Sequence, residues 1–177
     1  EPESWSCEIF PYMKELFRGA FVSLQFNCNQ ANASDKLMRA IRNGNSTEVA
    51  TILQEHPRLV DIAEDSDGVT PLLAATIVGD EQMVSQLLNR NPQPQVDRCT
   101  HQGFALVKKG SDGKTVWLPI SGFTPLMAAA KFNYPNIAKQ LLSAQANKHQ
   151  ADFSNPPKTA LEYATESGNI QMVNLLS

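Results

Sequence analysis

The pattern of apolar and polar residues in one short stretch of this chain occurs more than once. The stretch GVTPLLAATIVGD at residues 68–80 returns at residues 122–134 as GFTPLMAAAKFNY. In both stretches a leucine and an alanine stand three residues apart. A second run of apolar residues at helical spacing follows each stretch. Such spacing places a large and a small side chain on one helix face. It therefore predicts a helix, a tight turn and a second helix.

The same pattern occurs four times. Its key leucines are Leu37, Leu72, Leu126 and Leu161. The first and last intervals between them are 35 residues, whereas the middle one is 54 residues. A repeat at a fixed period is typical of arrays in which each unit packs on the next. The longer interval predicts an insertion between the second and third units.

Residues at the two ends of the first helix in a unit predict where that helix begins and ends. Thr70 and Thr124 can accept hydrogen bonds from exposed N–H groups at a helix start, and the proline after each suits the first helical position. Gly79 and Asn133 come seven residues after the key leucine. Both residue types tolerate the left-handed conformation that ends many helices.

The segment DSDGVTPLLAATIVGDEQMVSQLL, at residues 65–88, resembles an ankyrin repeat. The resemblance covers residues 34–177 and implies an all-α fold, an ankyrin-repeat α-solenoid of four repeats. The expected repeats are residues 34–66, 67–91, 121–150 and 156–177. The family's usual histidine after Thr-Pro-Leu is replaced by Leu73, Met127 and Glu162.

Residues 1–33 do not fit the repeat. Apolar residues recur there at helical spacing from Pro11 onward, which predicts an amphipathic helix. This helix would cover the open side of the first repeat as a cap, or it is the tail of an upstream domain. The chain begins with Glu1 rather than methionine, so we expect it to come from a longer or processed protein.

The insertion, residues 92–120, carries two β-favouring runs at 104–107 and 115–118, on either side of the turn-rich KKGSDGK. This pattern predicts a β-hairpin. An isolated two-stranded hairpin is marginal in water. Its apolar side chains would therefore rest either on the repeats or on a partner. In the second case Trp117 would be the anchor, because tryptophan often dominates binding interfaces.

Ankyrin proteins generally bind protein partners on their concave side, so the resemblance implies which positions to consider. These positions stand two, five and six residues after each key leucine. The predicted partner-binding residues, with the insertion included, are Arg39, Arg42, Ile77, Val78, Trp117, Lys131, Phe132, Tyr163 and Glu166. Four of these residues are apolar and lie on the predicted helices, namely Ile77, Val78, Phe132 and Tyr163. They would form a contiguous exposed strip across three repeats, flanked by basic residues. Coverage of that strip by the hairpin or by the N-terminal segment is the alternative.

The composition changes this picture little, since 42% hydrophobic and 19% charged residues are ordinary for a globular protein. A net charge of −3 argues against binding to nucleic acids or anionic membranes. Cys7, Cys28 and Cys99 are odd in number and widely spread, which favours a reducing, intracellular and cytoplasmic setting. Cys99 and His101 lack the further ligands of a zinc site. We expect no metal, no cofactor, no small-molecule substrate and no catalytic residues, and we expect a monomer.

The sequence thus predicts a non-catalytic module that binds an intracellular protein, with basic residues that attract an acidic segment of that partner. The alternative is the regulatory or targeting portion of a larger enzyme, or of a secreted bacterial effector that acts in the host cytoplasm. A long catalytic flank in the parent protein would favour the alternative.

Overall fold

Short helices arranged in pairs make up most of the described chain. The structure is a computed structural model that describes residues 31–62, 68–101, 104–109 and 115–177, of which 104–109 and 115–120 are described by their backbone alone. Residues 1–30, which hold most of the predicted N-terminal helix, lie outside the described residues. The helices are α1 (31–42), α2 (Ser46–Glu55), α3 (Leu59–Ile62), α4 (Pro71–Val78), α5 (Glu81–Leu88), α6 (Pro125–Phe132), α7 (Pro135–Ser143), α8 (Ala160–Glu166) and α9 (Ile170–Leu176).

The pairs stack in two rows. The first helices of successive pairs pack on one another, α4 on α6 and α6 on α8, and we call them the inner helices together with α1. The second helices form the other row, in which α5 packs on α7 and α7 on α9, and we call these the outer helices. Each of these pairs therefore leans on its neighbours along the chain. The predicted α-solenoid is confirmed.

The residues that were expected to begin and end the inner helices do so. The Thr70 and Thr124 hydroxyls each accept a hydrogen bond from the backbone N–H three residues on, at 3.3 Å in both helices. The proline after each is the first helical residue. Gly79, with a φ of 83°, and Asn133, with a φ of 59°, adopt the left-handed conformation at the helix ends. Local chemistry thus sets the length of α4 and α6.

The residues that replace the family's histidine take two different roles. Leu73 and Met127 are fully buried, and the Met127 sulfur lies 3.5 Å from the backbone N–H of Thr124. Glu162 is exposed, and its carboxylate accepts hydrogen bonds from the backbone N–H and the hydroxyl of Thr159. These bonds lower the pKa of Glu162. Each replacement therefore still closes the first turn of its helix or fills the core.

The core runs continuously through the stacked pairs. The key leucines of the first three units are at most 1% exposed, whereas Leu161 is half-buried. Burial of one leucine side chain stabilises the fold by about 1.5–3 kcal/mol. The small residues three positions later let neighbouring inner helices approach closely, and they are at most 1% exposed: Ala40, Ala75, Ala129 and Ala164.

The insertion contains two antiparallel strands, β1 (Phe104–Lys109) and β2 (Thr115–Ile120). Phe104 pairs with Ile120 at one end of the ladder, and Lys109 pairs with Thr115 at the other. The two runs for which the sequence predicted strands lie within β1 and β2. Residues 110–114, the expected turn, lie outside the described residues, as do the side chains of both strands.

Two hydrogen bonds between Thr100 and Phe123 hold the two ends of the insertion together, and we call such a pair of bonds a clamp. Thr100 donates its N–H to the Phe123 carbonyl at 3.2 Å, and its hydroxyl accepts the Phe123 N–H at 3.1 Å. Asp152 and Lys158 form an equivalent clamp in the next unit. The Asp152 N–H donates to the Lys158 carbonyl at 2.9 Å, and the Asp152 carboxylate accepts the Lys158 N–H at 2.7 Å. Phe123 and Lys158 both stand three residues before a key leucine. One clamp thus encloses 22 residues and the other five.

Candidate functional site

The predicted partner-binding residues of the inner helices lie in or near the last turns of α1, α4, α6 and α8, and their exposure is unequal. The exposed members are Arg39, Arg42, Val78 and Glu166, the half-buried members are Lys131 and Phe132, and the buried members are Ile77 and Tyr163. The side chain of Trp117, the predicted anchor of the insertion, lies outside the described residues. Its role stays a prediction.

The expectation of a contiguous exposed apolar strip is wrong at two of its four positions. Ile77 is only 8% exposed, because α4 is buried along its whole length up to this residue and the side chain joins the core. Tyr163 is 7% exposed, and its ring meets Phe123 edge to face with 5.2 Å between the ring centroids. Such aromatic pairs contribute about 0.5–1.5 kcal/mol beyond their burial. Val78 and Phe132 are the members that retain accessible surface.

Tyr163 is held by a buried carboxylate that the sequence did not point to. Its hydroxyl donates a hydrogen bond of 2.5 Å to one oxygen of Asp152, which is 6% exposed. The other oxygen of Asp152 accepts the hydroxyl of Ser154 at 2.5 Å, and the backbone N–H groups of Ser154 and Lys158 at 3.2 Å and 2.7 Å. A buried charge is tolerated when it is satisfied in this way. The network fixes the loop before α8 against the helix.

The pKa values of the pair shift in opposite directions. Burial alone would raise the pKa of Asp152, but the hydrogen bonds from Ser154, Tyr163 and Lys158 outweigh burial and lower it. Burial and the hydrogen bond to the Asp152 carboxylate raise the pKa of Tyr163 far above its ordinary value. Asp152 is therefore a carboxylate and Tyr163 a neutral phenol at neutral pH. Neither group is poised for proton transfer near pH 7.

Two lysines approach the ring of Tyr163. The ammonium nitrogens of Lys131 and Lys158 lie 5.6 Å and 5.8 Å from its centroid, within the range of a cation–π interaction. Lys158 also forms an ion pair of 2.5 Å with Glu166. Lys131 forms no ion pair with any residue in the described ranges. Within the described residues, the ring of Tyr163 is therefore the favourable electrostatic contact of this ammonium group.

A partly exposed apolar surface lies at the ends of α4 and α6. The Tyr134 ring covers Gly79 so closely that a Cβ at Gly79 would stand 2.7 Å from its Cζ atom. The ring of Phe132 lies 6.1 Å from that of Tyr134. Val78, which precedes Gly79, is 39% exposed. Tyr134 therefore packs the end of α6 against the end of α4.

The described residues hold little that could bind a metal. In the parts of the chain that the structure describes, no three His, Cys, Asp or Glu side chains form a group suited to a metal ion. Cys99 is half-buried with a free thiol, and His101 lies against Gly68. Among the described helices, none is long and apolar enough to cross a membrane.

Three residues of the candidate site, Asp152, Tyr134 and Lys158, were not predicted from the sequence. Asp152 is followed two residues later by Ser154, a spacing typical of a turn closed by an Asp side chain, and this was the available signal. Tyr134 and Lys158 give no such signal. Tyr134 acts on Gly79, which lies in the preceding unit, and Lys158 acts through the three-dimensional position of Tyr163.

Comparison with known proteins agrees with the geometry. Residues 100–177 match the family model described as ankyrin repeats, three copies. A probable E3 ubiquitin-protein ligase of Oryza sativa subsp. japonica is 26% identical to this chain over 157 residues. The aligned region is 88% of this chain and 27% of that protein, so this chain spans less than a third of the relative. The count of four repeats and the repeat bounds stay predictions.

Proposed function

This chain carries ankyrin repeats, and we propose that it is a non-catalytic module that binds a protein partner through the ends of its inner helices. Ankyrin repeats are protein-interaction modules and are generally non-catalytic. One observation carries the proposal. Exposed side chains stand in the last turns of three inner helices, namely Arg39 and Arg42 on α1, Val78 on α4 and Glu166 on α8. Positions of this kind lie outside the buried core, on surface that a partner can contact.

The charge of α1 supports a partner with an acidic segment. Arg39 and Arg42 are both exposed and lie one turn apart, so their positive fields add. Complementary charges at the edge of an interface mainly raise the association rate. We further propose that Trp117 of the insertion makes a second contact, and that the module is monomeric and acts in the cytoplasm, without nucleic acid or membrane as its target.

A second candidate is supported by the comparison with the rice protein. This chain would be the regulatory or targeting portion of a larger enzyme, such as a ubiquitin ligase, in which the repeats bind the protein to be modified. The similarity to a protein named as a probable E3 ubiquitin-protein ligase, at 27% of its length, favours this candidate. In both candidates the repeats themselves bind and do not catalyse.

The test uses the purified chain as bait, with captured proteins identified by mass spectrometry and then titrated as pure components. Arg39→Glu should slow association several-fold at low salt, because it reverses a charge at the edge of the surface. Lys139→Glu is the matched control, since Lys139 is an exposed lysine on the outer helix α7. Equal effects of the two variants, or failure of every captured protein to bind directly, would contradict the proposal.

A further inference from the structure

We infer that the side of α8 and α9 that faces away from α6 and α7 is a docking face for a further helix pair of the same array. Its side chains are Leu161, Thr165 and Val173, and we call them the end face. The inference goes beyond the proposed function, because the end face is a different surface from the positions proposed to contact a partner.

The end face has the same residue types as a face that is buried inside the array. Counted from the key leucine, the equivalent positions in α4 and α5 hold Leu72, Thr76 and Val84. These three side chains are at most 1% exposed. On the end face the leucine and the valine are only half-buried, and the threonine is exposed. The same residue types are thus covered in one unit and accessible in the other.

The helix pair that follows accounts for this difference. α6 packs on α4, and α7 packs on α5. One unit later α8 packs on α6 and α9 on α7, and the equivalent positions Leu126, Ala130 and Ala138 are again at most 1% exposed. Among the described helices, the main contacts of α8 and α9 are with α6, with α7 and with each other. The end face therefore continues an interface that occurs twice in the described chain.

Thr165 already has the conformation that its buried equivalent adopts. Its hydroxyl donates a hydrogen bond to the Leu161 carbonyl at 2.8 Å, and the Thr76 hydroxyl donates one to the Leu72 carbonyl at the same distance. Each hydroxyl is therefore satisfied within its own helix. A neighbouring helix can cover this threonine without leaving a buried donor unpaired.

The occupant that fits is a helix pair built like α6 and α7, which cover the equivalent face on α4 and α5. Buried small residues, such as Ala128 and Ala129 of α6, allow helices to pack closely. Both described interfaces of this kind join consecutive units of one chain. Such linkage raises the effective concentration of the two surfaces, so a connected pair docks more readily than a separate molecule. We therefore assign the end face to a helix pair of the same protein.

The experiment compares amide hydrogen exchange in the 177-residue chain and in the complete natural protein. Amides of α8 and α9 should exchange about tenfold more slowly in the complete protein, because a covering helix pair suppresses local opening. Thr165→Lys should abolish this added protection, since it places a charge in the covered face. In the 177-residue chain the same substitution should leave the melting temperature nearly unchanged, because Thr165 is exposed there.

Ile170→Lys is the matched control. Ile170 is 76% exposed on α9, and its equivalent in α5 is Glu81, which stays exposed although α7 packs on that helix. This variant should keep the slow exchange in the complete protein. Equal exchange of α8 and α9 in the two wild-type proteins, or equal effects of the two substitutions, would overturn the inference. A 177-residue chain that dimerises in sedimentation, and loses the dimer with Thr165→Lys, would assign the end face to a second copy and overturn it too.

Discussion

The hydroxyl of Tyr163, on inner helix α8, lies 2.5 Å from a carboxylate oxygen of Asp152, in the loop that precedes this helix. The bond adds to the clamp between Asp152 and Lys158, in which the Asp152 N–H donates to the Lys158 carbonyl and the Asp152 carboxylate accepts the Lys158 N–H. It also places the Tyr163 ring beneath Lys131. One buried polar contact thus connects the stability of the last described unit with the position of Lys131 on the preceding unit.

Removal of that hydroxyl tests the contact. Tyr163→Phe should lower the free energy of unfolding by about 1.5–3 kcal/mol at neutral pH, because the Asp152 carboxylate loses one of its donors in a buried place. Urea denaturation measures the change. A double-mutant cycle with Asp152→Asn isolates the pairwise interaction. Additive effects of the two substitutions would contradict a direct contact between these groups.

The pKa of Asp152 predicts how stability depends on pH. Burial opposes the charged form, but the hydrogen bonds outweigh it and lower the pKa below the ordinary value of 3.8. The stabilisation from this group is therefore complete above that value, and it is lost as the pH falls through the lower pKa of the folded protein. The difference in unfolding free energy between the wild type and Asp152→Asn should shrink in acid. A difference that stays constant from neutral pH to about pH 3 would contradict the lowered pKa.

Two glycines with positive φ provide a matched pair. Gly79, with a φ of +83°, is covered by Tyr134, whereas Gly44, with a φ of +69°, has no heavy atom within 4 Å of a built Cβ. Alanine at either site should cost about 1–2 kcal/mol for the left-handed conformation. At Gly79 overpacking against the ring should add about 1–3 kcal/mol. Thermal or urea unfolding of both variants measures the excess.

The same pair carries its own control. In a Tyr134→Ala background the added cost of Gly79→Ala over Gly44→Ala should disappear, because the ring that the new methyl group meets is gone. An excess that persists without Tyr134 would show that the close approach of this ring does not limit the residue at position 79.

The two clamps predict that the insertion can be exchanged. A variant in which residues 101–122 are replaced by the five residues of Phe153–Pro157 should keep its helical circular dichroism spectrum and unfold in one transition. The reason is that Thr100 and Phe123 would still make the hydrogen bonds that Asp152 and Lys158 make around those five residues. Partner binding should weaken if Trp117 is a contact. Loss of the folded array would show that the insertion is part of its core.

The sequence allowed the array to be predicted because its determinants are local. Thr70 and Gly79 set the ends of α4 through contacts within a few residues, and the spacing of leucine and alanine defines the buried face. Exposure at the end of an inner helix is a different kind of property. Ile77 and Val78 are neighbours in the chain, yet one is 8% and the other 39% exposed, because successive residues of a helix lie on different faces.

The candidate site was less predictable than the array. Tyr163 occupies a position that the resemblance assigned to the partner, but Asp152 and Phe123, which come from two different loops, bury it. Lys131 was expected to attract a partner, and the structure adds the ring that holds it in place. Neither contact follows from helical spacing, since each joins residues that no period of the repeat brings together.

The stacking of helix pairs in two rows affects how often each pair opens locally. The pair α6/α7 packs on described helices on both sides, whereas α8/α9 packs on described helices on one side. In the 177-residue chain, amide hydrogens should therefore exchange with deuterium slowest in α6 and faster towards α9. Lys131 lies on the helix that should exchange slowest, while Glu166 belongs to a unit that should open more often in this chain.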